Sequence, residues 1–384
     1  MSQPQAASQG FCSDRLQPLR ELFDAHLTSG ADLGASLAVV ADGEFELDIW
    51  GGWSDEARSR PWTADTVTNV WSNTKSMTSL AALILVDRGE LDVDATVAHY
   101  WPEFATAGKG RITLRQVMSH GSGVSGWDSP MRMDELYDWE ASTTRLAAQA
   151  PWWPPGTAIG YHALTYGHLV GEVIRRVTGR GLKAFFADEI ARPLGADFHI
   201  GLPESDVHRC SNVVPPPPLP IDMATLDPAS VMFKTFTGPE PDAAAANTAG
   251  WRAADIGAAN GHGNARSAAK VQSVMAHGGE AFGVRLLRPQ TVERVFETQM
   301  RGVDLVMGVP LHLGLGWGLA EPALLPYIPE GRVCFWGGWG GSMVINDADR
   351  KITLAYVMNR MAPGIVGGEN IAALASCLYR LLGE

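Results

Sequence analysis

The sequence predicts an α/β chain of the α+β kind, in which an antiparallel sheet is flanked by helices and a helical subdomain forms one wall of a cleft. Three observations predict it. A hairpin of alternating hydrophobicity lies near one end. Three strand-like runs and a helix lie near the other. The long middle reads mostly as helix, with no repeat of solenoid or propeller period.

Taken in order, residues 15–27 carry Leu16, Leu19, Leu22, Phe23 and Leu27 at spacings of three and four, an amphipathic helix. Residues 35–40 form the first hairpin strand, Ala41, Asp42 and Gly43 the turn, and residues 44–50 the second strand, in which Phe45, Leu47 and Ile49 alternate with charge. Helical periodicity governs 166–178 and 266–277, whereas the prolines at 215–218 exclude helix and imply an extended surface segment. Strands are expected at 333–336, 342–346 and 352–358, the last two joined by a polar turn at 347–350, and a final helix at 370–382. Both ends then belong to one antiparallel sheet.

Composition limits the function. At 384 residues there is room for a large core and a second subdomain, and the longest apolar run is the stretch 80–86, too short to span a bilayer. Residues 1–12 have no basic region and no apolar stretch, so neither a signal peptide nor an anchor is read and the expected location is cytoplasmic. With 30 Lys and Arg against 42 Asp and Glu, the net charge of −12 repels polyphosphates, and nucleic acid is excluded as a partner. Cys12, Cys210, Cys334 and Cys377 are scattered without CxxC spacing, which gives no support to zinc or a disulfide framework and reads as buried thiols. No H-E-x-x-H or carboxylate cluster points to a metal, and no cofactor is expected. The sequence leaves oligomeric state open.

The chemistry has to be sought among the serines. No serine has glycines at both −2 and +2, so the G-x-S-x-G elbow is absent. The arrangement S-x-x-K, which brings a lysine beside the hydroxyl within one helical turn, occurs twice. Ser72-Asn73-Thr74-Lys75 precedes a helix apolar enough to run through the core, where its N-terminal end would hold Ser72 rigidly and stabilise an oxyanion. Ser267-Ala268-Ala269-Lys270 opens a helix with a single apolar stripe, and there Ser267 reads as a cap. Downstream of the first copy, a turn-rich loop at 154–163 delivers Tyr161 just before a helix. Glycines at 337–341 permit close approach of a backbone or a ligand.

With these residues in view, the chain resembles the serine esterases of class C β-lactamase-like fold, often called family VIII carboxylesterases, which are related to penicillin-binding D,D-peptidases. The segments that carry the resemblance are 113–123 (TLRQVMSHGSG), 161–180 (YHALTYGHLVGEVIRRVTGR), 256–266 (IGAANGHGNAR) and 336–361 (WGGWGGSMVINDADRKITLAYVMNRM). The resemblance implies the β-lactamase/D,D-peptidase fold, with the α/β domain at 1–90, 166–215 and 301–384 and the helical subdomain at 91–165 and 216–300. It matches Ser72 and Lys75 to the S-x-x-K pair and Tyr161 to the tyrosine of the Y-x-N element. Two departures stand out. Ala163 replaces the asparagine, and Trp336-Gly337-Gly338 falls where the lactamases carry K-T-G, a place where similar esterases commonly have W-x-G or H-x-G. The resemblance further implies that the backbone N–H groups of Ser72 and Trp339 form an oxyanion hole.

A serine hydroxyl must lose its proton during attack, and a tyrosinate or a neutral lysine beside it can take that proton. Tyr161 is expected as the general base, its phenolate favoured by the Lys75 ammonium, with Lys75 sharing the proton and orienting Ser72. Histidine-based triads built on His120, His162, His168 or His262 show no acid–histidine–serine order, and His120 is expected to stabilise its own loop. Trp71, Trp127, Trp152, Trp153 and Trp336, with Gly337 and Gly338, are the expected pocket, suited to a neutral, lipophilic small-molecule ester. The expected activity is hydrolysis of short-chain esters through an acyl-enzyme on Ser72. A β-lactamase or D,D-peptidase, and an inactive binding protein on the same scaffold, are the alternatives.

Overall fold

The computed structural model describes residues 7–217, 225–364 and 366–383. Its body is a sheet of nine strands among the described residues: β1 (Gln9–Cys12), β2 (Gly34–Ala41), β3 (Glu44–Gly52), β4 (Met300–Val303), β5 (Pro310–Leu313), β6 (Gly318–Leu319), β7 (Val333–Gly337), β8 (Met343–Asp347) and β9 (Ile352–Met358). They run in the order β1-β3-β2-β9-β8-β7-β6-β5-β4, every neighbouring pair antiparallel. The expected hairpin is β2–β3, and β9 lies against β2 with Leu354 opposite Val39. Strands from the two ends of the chain therefore meet in mid-sheet.

Both β2 and β9 are buried along their whole length, which requires cover on both faces. Helices α1 (Gln17–Ser29) and α5 (Glu369–Leu381) pack together on one side, and α4 (Ala265–Ala276) packs on β2, β8 and β9. α1 buries Leu19, Phe23 and Leu27, three residues of the stripe read from the sequence, and ends at Gly30, whose φ of 81° is the left-handed geometry of a helix stop.

Helix α2 (Thr74–Arg88) differs from these, since residues 74–85 are all buried. A helix with no solvent-facing side belongs in the middle of a structure, not on its surface. It packs against α3 (Thr165–Thr178), whose His168, Leu169, Val170 and Val173 are also buried. A small three-stranded sheet of Thr68–Asn69, Gly261–Gly263 and His199–Ile200 feeds the chain into α2, with the Val70 N–H bonded to Gly261 O at 2.8 Å.

The proline segment was expected to be extended and exposed. Pro215 to Pro217 have no regular structure, and Pro218 lies outside the described residues. Of the four free cysteines, Cys210, Cys334 and Cys377 are buried, but Cys12 is only half-buried on edge strand β1, a correction to the expectation of four buried thiols. No helix among the described residues is long and apolar enough to cross a membrane.

Candidate active site

Ser72 sits in the turn between the small sheet and α2, and the residue before it pays for that position in backbone strain: Trp71 has φ of 52°, a region that costs a bulky residue roughly 1–3 kcal/mol. The turn is fixed by local bonds, Thr74 N–H to Trp71 O at 2.9 Å and Lys75 N–H to Ser72 O at 2.9 Å. One helical turn on, Lys75 is wholly buried and its Nζ lies 3.0 Å from Ser72 Oγ, 2.8 Å from Ala163 O and 3.0 Å from Ala258 O. Tyr161 reaches the same serine from the loop before α3, donating its O–H to Ser72 Oγ at 2.6 Å. Lys75 Nζ also lies 4.7 Å from the centre of the Tyr161 ring.

Burial dominates the electrostatics here. With no carboxylate beside it, burial holds Lys75 well below the ordinary lysine range, and burial likewise pushes the Tyr161 phenol up, against smaller opposing effects of its bonds to Ser72 and Trp336. Burial thus favours the neutral amine and the neutral phenol, whereas the expectation from the sequence is a phenolate beside an ammonium.

The far wall comes from β7 and the turn after it. A Cβ on Gly338 would stand 2.2 Å from Val70 O and 2.3 Å from Ser342 Oγ, so only glycine lets this strand end come so close to the segment leading into Ser72. Ser342 completes the joint, donating to Val70 O at 3.0 Å and accepting from Asn73 Nδ2 at 2.9 Å. Trp339 lies in the turn, which is closed by Gly341 N–H to Gly338 O at 3.0 Å. Among the described residues, neither the Ser72 nor the Trp339 backbone N–H has a hydrogen-bond partner. Gly338→Ala is expected to push the two walls apart, lowering the melting temperature and cutting kcat by about a hundredfold, the scale of an ångström's misplacement at a reacting centre. Unchanged kinetics in that variant would show that the contact positions nothing.

The sequence pattern of the beta-lactamase family matches residues 19–376. The chain belongs to that family. Within it, the chain is similar to the esterase/beta-lactamase LipL of Mycobacterium tuberculosis, 35% identical over 87% of this chain and 78% of that one. It is similar to esterase EstB of Burkholderia gladioli at 30% identity, over 46% of this chain and 49% of that one. Among solved structures it superimposes on a family VIII carboxylesterase with TM-score 0.92 and 37% identity, covering 98% and 100% of the two chains. A penicillin-binding protein homologue from Caulobacter crescentus gives TM-score 0.91 and 36% identity over the same shares. The beta-lactamase/penicillin-binding-protein fold expected from the sequence is the fold of this member.

A cavity of about 460 Å³ opens beside Ser72 and Tyr161. Of the expected pocket tryptophans, Trp71 lines it, as does Trp339. Trp336 and Gly337 line a separate small cavity on which Tyr161 also borders. Gly338 is packed into the wall instead. Trp127, Trp152 and Trp153 line neither cavity, a correction to the expected pocket. Trp127 is a core residue with its N–H on Ser142 O, Trp152 bonds Asp128, and Trp153 bonds Ala158 O and underlies Gly160 in the loop that carries Tyr161. Their nearness in sequence to the motif segments says nothing about which way each ring points. Trp251, Phe236, Glu240 and Asp242 line the main cavity and were not anticipated, since they come from a stretch without a motif.

Neither His120 nor His162 has a hydrogen bond to Ser72 among the described residues. His162 lies on Ser122 Oγ and Gly160 O, and His120 accepts the His162 backbone N–H at 3.0 Å while stacking on Trp336. Burial lowers both below the usual histidine range. In the second S-x-x-K copy, Asn264 is the N-cap of α4 and Ser267 closes the capping box from the third position, which corrects the reading of Ser267 itself as cap. Lys270 points away, to Gly195 O.

Proposed function

We propose that the chain is a serine carboxylesterase hydrolysing short-chain carboxylic esters through an acyl-enzyme on Ser72. The observation that carries this reading is the convergence of a buried amine and a buried phenol on one hydroxyl oxygen, at 3.0 and 2.6 Å.

Their roles follow from donor and acceptor counting. Carbonyl oxygens only accept, so two of the Lys75 N–H groups are committed to Ala163 O and Ala258 O, and in a neutral amine the remaining position facing Ser72 is the lone pair. Lys75 is then the principal base. As Ser72 Oγ attacks the ester carbonyl, its proton passes to Lys75, whose ammonium now donates to both carbonyls and to Oγ. Tyr161, holding its own proton, is the donor beside the reacting oxygen that supplies the departing alkoxide, and the proton on Lys75 restores the phenol. The Ser72 and Trp339 N–H groups stabilise the negative carbonyl oxygen. Water then repeats the sequence to release the acid. This puts Lys75 ahead of Tyr161, the reverse of the order expected from the sequence.

Trp336 supports esters over lactams. Its indole has one N–H, engaged by the Tyr161 phenol, and no charge, so nothing there grips a β-lactam carboxylate, whose unpaired burial is costly. Rapid cleavage of p-nitrophenyl butyrate and slow or undetectable turnover of nitrocefin are expected on one preparation, compared as kcat/KM. Comparable nitrocefin efficiency would favour a β-lactamase, and absence of both activities an inactive binding protein.

A further inference from the structure

The main cavity is lined by Ser72, Tyr161 and a cluster of three indoles. The Trp71 ring packs against Trp251 at 5.3 Å and 57°, and against Trp339 at 5.0 Å and 61°. Glu240 and Asp242, both exposed, line the same cavity. Among the described residues that line it there is no lysine, arginine or histidine, and residues 218–224 contribute none in sequence, reading Pro-Leu-Pro-Ile-Asp-Met-Ala. One oxygen of Asp242 accepts the Ala244 N–H, and neither carboxylate forms an ion pair among the described residues. Two carboxylates without an ion-pair partner among the described residues line the cavity of a chain of net charge −12 and make its potential negative. Indole faces attract ammonium groups, quaternary ones included. These features alter the expectation of a purely neutral, lipophilic guest.

We propose that the cavity selects esters bearing an ammonium group on the portion that lies in it, and rejects esters bearing a carboxylate there. This rests on the esterase reading of Ser72 and names the substrate class for that site. The carboxylates supply long-range attraction, and the partly exposed Trp339 indole, backed by the buried Trp71 and Trp251, supplies the short-range contact.

The test compares butyrylcholine with 3,3-dimethylbutyl butyrate, its carbon isostere, for charge on the alcohol side. Betaine ethyl ester and ethyl 3,3-dimethylbutyrate make the pair for charge on the acyl side, with monoethyl succinate as the anionic ester. Each kcat/KM is divided by the ester's alkaline hydrolysis rate, which removes intrinsic reactivity. In one of the two pairs the cation is expected to be favoured on the order of tenfold at low salt, with the anionic ester below both neutral esters. The preference should shrink in 0.5 M NaCl, added as a probe at about ten times the salt of a low-salt buffer. It should shrink equally in the double variant Glu240→Gln, Asp242→Asn. Turnover of the neutral esters with no cationic preference in either pair would overturn this inference and leave the esterase reading standing, as would a preference that the double variant leaves unchanged. Failure to turn over any ester, with no covalent labelling of Ser72, would overturn the esterase reading instead.

Discussion

Ser72→Ala is expected to abolish ester turnover and labelling by a fluorophosphonate, while Ser267→Ala leaves both near wild type. Loss of a serine nucleophile typically costs on the order of 10⁶ in kcat, because the remaining groups have nothing to activate. Ser267 shares its tetrapeptide spacing but sits in a capping box, where losing the hydroxyl costs about 1 kcal/mol of stability and no chemistry. Ser122 is the other serine to watch, since it meets a histidine, yet it is fully buried and its partner is turned toward Gly160 O. Mass spectrometry of the labelled peptide decides. An adduct on Ser122 or Ser267 would remove the basis of the assignment.

Lys75→Met keeps the volume of the buried side chain and removes its nitrogen, and kcat should fall by about 10²–10⁴-fold, the worth of a positioned base. Tyr161→Phe should lose about a hundredfold by the same measure. The pH profiles separate their roles. Burial lowers the Lys75 pKa, so the amine is neutral and competent above that lowered value, and kcat/KM falls as pH drops through it. Tyr161→Phe should retain this acidic limb, which belongs to Lys75. If the limb vanishes with the phenol, Tyr161 was the base and the donor counting is mistaken. The same shift is linked to stability. Between the lowered Lys75 value and the ordinary lysine range the unfolded chain binds a proton that the folded chain does not, so this group makes stability rise with pH across that window.

Sequence reading succeeded where periodicity is long or a motif is dense. The β2–β3 hairpin and β9 were legible because β3 alternates between apolar and charged residues and because β2 and β9 are mostly apolar over seven or more residues. β6, at two residues, carries no period to detect, and β4 and β5 have only four residues each. The three residues that meet at Ser72 Oγ were all readable, since spacing fixes Lys75 and the resemblance fixes Tyr161. Their protonation was not, because it depends above all on burial, a property of the folded interior. The pocket wall was least legible. Trp127 and Trp251 look alike in sequence, yet one hydrogen-bonds Ser142 in the core and the other borders the cavity.

The joint between Ser342 and the residues flanking Ser72 links positions some 270 apart, 272 for Val70 and 269 for Asn73. During translation the serine, lysine and tyrosine all emerge long before the strand that walls them in. Residues 162–342 take roughly ten to forty seconds to make at about 5–20 residues per second. Throughout that interval the nascent chain holds Ser72 without the Trp339 N–H proposed to complete an anion site, and β2 waits without its partner β9. On the esterase reading, full activity is therefore expected only once the last hairpin docks, and a chain stalled before it leaves one edge of β2 open to mispairing.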